Sequence, residues 1–168
     1  EMFGDGWWNS QLYGYVAAPA AVGKILGLNE EQIINAIGIA YQEAGANIQC
    51  VYDGALTKRM GPSFAARAGV FAALLAGKGV RGAQDTLEGP SGMFNVYLGK
   101  NVDPRALTVD LGKRFLGVET GFKPYPSCRT NHPYIDAALA LRKEYSLKPE
   151  DIAEIAVATG ENISRLNT

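Results

Sequence analysis

The sequence predicts a mainly α protein, all-helical over residues 1–117 and followed over 118–168 by the start of a smaller α+β domain. Three observations carry that reading. Gly61 to Gly77, after the cationic pair Lys58-Arg59, reads as one long helix built largely of Ala and Gly. Asn29-Glu30-Glu31-Gln32 has the capping-box pattern of a helix start. Gly121-Phe122-Lys123-Pro124-Tyr125-Pro126-Ser127 forbids helix, because each Pro removes a donor and pushes its predecessor toward extended geometry.

Taken in order, Glu1 to Tyr13 is rich in Gly, Trp and Asn, lacks helical or alternating period, and predicts a loop. Trp7 and Trp8 there are either pocket walls or packing for the next element. Gly14 to Leu26 is small-residue-rich and predicts a helix that tolerates Pro19 or kinks at it, closed by Gly27. From Asn29 a second helix runs to Gly45 with Ile33, Ile37 and Ala40 on one face. Gly45 to Leu56 is a loop, in which Asp53-Gly54 marks a tight turn.

Lys58 and Arg59 then precede Gly61-Pro62-Ser63, a helix opening in which the missing N–H of Pro62 costs nothing. Ala65, Ala66, Ala68, Gly69, Ala72, Ala73 and Ala76 cover nearly every face and predict a buried helix that neighbours approach closely, with Phe64, Phe71, Leu74 and Leu75 filling gaps. Two cations at the positive end of a helix form an anion site or a solvated pair. Asp53 either orients Lys58 or serves the turn alone.

Gly89-Pro90 and Asp103-Pro104 punctuate short helical pieces around Thr86 to Leu87, Met93 to Tyr97 and Pro104 to Leu107, a region of packing. Past the Pro-rich segment, Asn131 is placed to cap a helix with Pro133 in its first turn and an apolar stripe of Ile135, Ala138, Leu139 and Leu141. Leu147 to Asp151 is a turn, and Ile152 to Thr159 predicts a strand with Glu154 outward.

Across 168 residues the composition is 47% hydrophobic and 20% charged with a net charge of -1, enough to bury a core and without the basic excess of nucleic-acid or anionic-membrane binders. The longest apolar run, within Ala68 to Ala76, is too short to span a bilayer. Cys50 and Cys128 match no zinc spacing and predict thiols in a reducing compartment. The chain opens on Glu1 without a secretory pattern, and Asn162 to Thr168 follows the expected strand without a closing element, as in an excerpt from something longer.

Ionisable groups are densest at Lys123, Tyr125, Cys128, Arg129 and His132, on an extended segment entering a helix. His132 is the only histidine, which excludes a multi-His metal site. It is either a proton carrier or a structural residue. Were Lys123 to approach Lys58, each charge would depress the other's pKa and leave one lysine able to take a proton.

The segments Asp53-Gly54-Ala55-Leu56-Thr57-Lys58-Arg59-Met60, the Ala-rich helix after them, Leu87-Glu88-Gly89-Pro90, and Phe122-Lys123-Pro124-Tyr125-Pro126-Ser127-Cys128-Arg129 with His132-Pro133 resemble the MmgE/PrpD family. That family includes 2-methylcitrate dehydratase, cis-aconitate decarboxylase and iminodisuccinate epimerase. The resemblance runs from about Gly6 to Val157 and matches an interior portion of longer proteins that enclose their site between a large helical and a smaller α+β domain.

What the resemblance implies is a lyase that needs no cofactor or metal and removes a proton next to a carboxylate of a small di- or tricarboxylate. Dehydration is the leading reaction, with decarboxylation, epimerisation and a non-catalytic carboxylate-binding scaffold as alternatives. Lys58 and Lys123 match family active-site positions, and Cys128 and His132 join them as candidate proton carriers. Arg59, Tyr125, Arg129 and Asp53 are the candidate substrate binders. A homodimer without nucleic-acid or membrane partners is implied, in the cytoplasm or, for a eukaryotic source, the mitochondrial matrix. The chain departs from the family pattern where members carry His, at Gly6-Trp7-Trp8-Asn9, Gly61 and Cys128.

Overall fold

A computed structural model describes residues 6–99 and 102–160. The first five residues of the expected opening loop, and the tail from Asn162 to Thr168, lie outside the described residues. Two compact units, Glu1–Pro104 and Arg105–Thr168, make up the chain. The units meet at Pro104 and Arg105, whereas the change in sequence character lies near Leu116.

In the first unit α1 (Asn9–Ile25), α2 (Glu30–Gln42) and α4 (Gly61–Gly77) pack against one another, while α3 (Gln49–Tyr52) is a single turn. Helix α1 buries Leu12, Tyr15, Pro19 and Gly23, one stripe at helical spacing: Tyr15 packs on Ala65 and Ala68 of α4, Leu12 on Ala46 and Met93, and Gly23 lies against Ile33 of α2. The backbones of α1 and α4 nearly touch. A Cβ added to Gly69 would lie 2.5 Å from Cβ of Ala18 and 2.8 Å from the Pro19 nitrogen, so only glycine fits that crossing. Helix α2 begins as predicted. Asn29 Oδ1 accepts from the Gln32 amide at 2.9 Å, and Gln32 Oε1 accepts from the Asn29 amide at 3.0 Å.

Helix α1 starts five residues before the expected Gly14, for a reason that no local pattern carries. Trp8 donates its amide to the Ala46 carbonyl at 3.3 Å, Trp7 and Asn47 form an isolated antiparallel bridge, and Gln11 Nε2 donates to the Gly45 carbonyl at 2.7 Å. The 45–47 segment thus holds the helix start in place of a side-chain cap. Both Trp side chains pack. Trp8 lies against the cluster of Leu12, Ala46 and Met93, and Trp7 meets Tyr97 edge-on at 4.9 Å.

The segment after α4 closes the unit over α2. Buried Asn35 accepts from the Gly82 amide at 3.1 Å and from Gln84 Nε2 at 2.8 Å. A π-helix, Phe94–Leu98, carries Tyr97, whose hydroxyl donates to the Ala44 carbonyl at 3.1 Å.

Helix α4 is not buried all round. Val70, Phe71 and Leu74 are 46%, 54% and 50% exposed, and Ala66 also faces out, because α1 and α2 cover a single side of it. Leu56–Gly77 forms a 22-residue helical run whose mean hydropathy of 1.2 is high enough to cross a membrane by length and composition alone, where the sequence reading found only a short apolar run. Its small-residue face packs as the core helix of a globular unit.

The second unit has short 3-10 turns at Leu116–Glu119, Arg129–Asn131 and Pro149–Asp151, with α5 (His132–Tyr145) between the last two. Asn131 holds the N-cap position of α5 without a side-chain capping bond, and Pro133 sits in the first turn. None of the described residues 105–160 is buried. The predicted strand does not form. Residues 152–160 have no ladder partner among the described residues, and Tyr134 Oη holds them near α5 by donating to Thr159 Oγ1 at 2.5 Å. Between α5 and this segment runs an open apolar groove of about 730 Å³, lined by Ala138, Leu141, Leu147, Ile152 and Ile155.

Candidate active site

The candidate residues fall into two groups, one in each unit. In the first, Lys58 and Arg59 stand on a 3-10 turn, Leu56–Met60, that runs straight into α4. They are therefore inside the first turns of one continuous helix, not ahead of it. Cations there oppose the helix dipole, an arrangement that an anion would relieve. Both side chains are exposed, and the first turn holds no acidic residue. Gly61, just beyond, is buried against the Trp8 ring and Gln11 Oε1, which fixes the turn on the end of α1. Asp53 serves the turn. It caps α3, and its Oδ1 accepts from Gln49 Nε2 at 2.9 Å.

In the second unit the Pro-rich segment is non-helical as predicted, but it bends through residues 124–127 into a compact loop instead of running extended. Lys123 Nζ donates to the Ser127 carbonyl at 3.2 Å, and the Ser127 amide donates to the Tyr125 carbonyl at 2.8 Å. Cys128 Sγ lies 3.1 Å from Thr130 Oγ1, and the Cys128 carbonyl accepts from the Asn131 amide at 2.9 Å. Cys50 and Cys128 are both thiols. Arg129 is exposed on the turn that leads into α5.

His132 opens α5. Its ring meets Tyr125 edge-on, with centroids 5.3 Å apart, and its Nε2 is buried with no hydrogen-bond partner among the described residues. Tyr125 Oη donates to Asp136 Oδ1, one helical turn beyond His132. That hydrogen bond, then desolvation, then the carboxylate's charge, raise the Tyr125 phenol above its ordinary value. Tyr125, His132 and Asp136 thus form one contact group, while Lys58, Arg59 and Asp53 belong to the other unit.

Asp136 was missed in the sequence, although its spacing of four from His132 puts both on one helix face. No group of three or more His, Cys, Asp and Glu able to hold a metal occurs among the described residues.

A family model, the MmgE/PrpD N-terminal domain, matches residues 2–105. The chain belongs to the MmgE/PrpD family. Among MmgE/PrpD proteins it is 32% identical over 151 residues to the cis-aconitate decarboxylase-like protein oryM of Aspergillus oryzae, covering 86% of this chain and 31% of that protein. It is 29% identical to cis-aconitate decarboxylase of Aspergillus terreus over the same shares. To human cis-aconitate decarboxylase it is 29% identical over 162 residues, 93% of this chain and 33% of the human protein. The chain spans about a third of the length of these curated relatives. The all-helical first unit, ending at Pro104, coincides with the stretch that the family model covers.

Proposed function

We propose that this chain supplies part of the active site of a lyase that acts at the carbon next to a carboxylate of a small di- or tricarboxylate. The observation that carries the reading is the pair Lys58 and Arg59 on the 3-10 turn that runs into α4, two exposed cations where the helical run's end is already positive. Such a site favours anions, and Arg59 can take a carboxylate through two parallel hydrogen bonds. When a C–H or C–C bond next to a carboxylate breaks, the electron pair left on carbon spreads onto the carboxylate oxygens. A lysine ammonium beside those oxygens stabilises that charge.

Within the second unit, Lys123, Cys128 and His132 are the proposed proton carriers. Lys123 and Cys128 carry exchangeable protons, and His132 Nε2 has no hydrogen-bond partner among the described residues. Loss of water, as in 2-methylcitrate dehydratase, is one outcome of this chemistry. Epimerisation is a second and loss of carbon dioxide a third, and the names of the fungal and human relatives favour the loss of carbon dioxide.

The test uses the full reading frame that contains this chain, incubated in D2O with 2-methylcitrate, cis-aconitate and related acids and followed by proton NMR. Product formation or deuterium uptake is expected, falling 100-fold or more in Lys58→Ala or Lys123→Ala, in line with losses of roughly 10²–10³ for a single transition-state donor. Full activity in both variants overturns the assignment. Lys58-dependent binding of a tricarboxylate with no turnover of any acid would make the protein a carboxylate-binding scaffold instead.

A further inference from the structure

We infer that Asp136 is a positioning residue of the second group: by accepting the Tyr125 hydroxyl it holds the Tyr125 ring edge-on against His132 and so sets the direction of His132 Nε2. The inference rests on the lyase reading above for what His132 does, and on geometry alone for how it is held. Among the described residues His132 makes no hydrogen bond through Nε2, so none of them fixes the imidazole through that atom. The imidazole opens a helix whose N-cap residue, Asn131, also contributes no side-chain bond. The Tyr125 ring, edge-on at 5.3 Å, is a contact against which the imidazole is seated.

Tyr125 itself lies between two prolines, which restrict the backbone on either side, and its phenol is anchored to the same helix that carries His132. The anchor and the imidazole are one turn apart on α5, so a rigid helix sets their spacing. Lys123 shares this arrangement. Its bond to the Ser127 carbonyl closes the loop that Tyr125 pins to the helix, so loss of the Asp136 anchor loosens Lys123 and His132 together. Raising of the Tyr125 phenol by the carboxylate agrees with a hydroxyl that keeps its proton and gives it to Asp136.

Two measurements on the complete protein test this. With tyrosine labelled at Cζ with carbon-13, the Tyr125 resonance is identified by its loss in Tyr125→Phe and followed through an alkaline titration. Its midpoint is expected above those of solvent-exposed tyrosines and should fall toward them in Asp136→Asn; an unchanged midpoint overturns the pair. On the acid that the wild type turns over, Tyr125→Phe and Asp136→Asn should each lower kcat by roughly tenfold or more, within the range that small misplacement of a reacting group produces. KM should stay nearly constant, and the double variant should be no slower than either single one, as for residues that act as a unit. Losses that multiply, or a kcat that does not fall, overturn the positioning role. A wild type that turns over no acid overturns the lyase reading, and the titration alone then decides the Tyr125–Asp136 pair.

Discussion

At the scale of single residues, the chain places its phenols to tie segments together. Tyr41 donates its hydroxyl to the Ser91 carbonyl at 3.0 Å and meets Tyr97 edge-on at 6.4 Å. Burial first, then the neighbouring Tyr97, raise its pKa. An acid with a raised folded pKa contributes stability that is fully present below its unfolded pKa, about 10 for tyrosine, and is lost as pH rises through the folded value. Tyr41→Phe should therefore flatten the alkaline fall in stability above about pH 10. At neutral pH it should cost only about 0.5 kcal/mol for the lost surface hydrogen bond. Urea unfolding at pH 7 and pH 10.5 checks both, and an alkaline limb as steep as the wild type's would refute the assignment. Asn29 and Gln32 were legible in the sequence because both halves of a capping box lie within four residues. Asp136 was not, since its partner Tyr125 reaches it from eleven residues away through a loop whose path composition does not encode.

At the scale of elements, α4 organises the first unit, and small residues let α1 and α2 reach it. Gly69→Ala should destabilise the protein by roughly 1–3 kcal/mol, the usual range for added volume in a packed core, because the new methyl meets the α1 backbone at Ala18 and Pro19. Ala66→Ser, on the exposed side of the same helix, should cost less than about 1 kcal/mol. Equal losses in the two variants, read from denaturant midpoints, would disprove the close crossing. The existence of α4 was readable from its Ala and Gly content, as was its Pro62 opening. The 3-10 turn from Leu56 that extends it was not, because Lys58 and Arg59 look like a loop until the turn joins the helix. The early start of α1 depended likewise on pairing with 45–47, a contact of nearly forty residues' separation that periodicity cannot report.

At the scale of the whole molecule, the two units differ in what they bury. The first has core clusters around Leu12, around Tyr15 and around Ala36, while no described residue of 105–160 is buried. Hydrophobic burial is what offsets the conformational entropy lost on folding. Residues 1–104 expressed alone should thus unfold cooperatively, and 105–168 alone should melt without a sharp transition. Calorimetry of the two pieces decides it, and a sharp endotherm from 105–168 would contradict the assignment. The apolar stripe of α5 was readable at helical spacing, but its exposure was not, since a pattern says which face is apolar and not what covers it. The Ile152 to Thr159 run failed as a strand for a related reason: β propensity describes one segment, and a strand requires a second.

The close seating of α4 against its neighbours has a consequence for how the chain can vary. Toward α1 and α2 its positions are already Ala or Gly, so a change of polarity is not the first obstacle to substitution there; size is. On the other side, at Val70, Phe71 and Leu74, bulk is open to solvent and almost any volume is geometrically admissible. Tolerance along the helix should rise and fall with the helical turn as a function of volume, a periodicity that its nearly uniform apolar composition conceals.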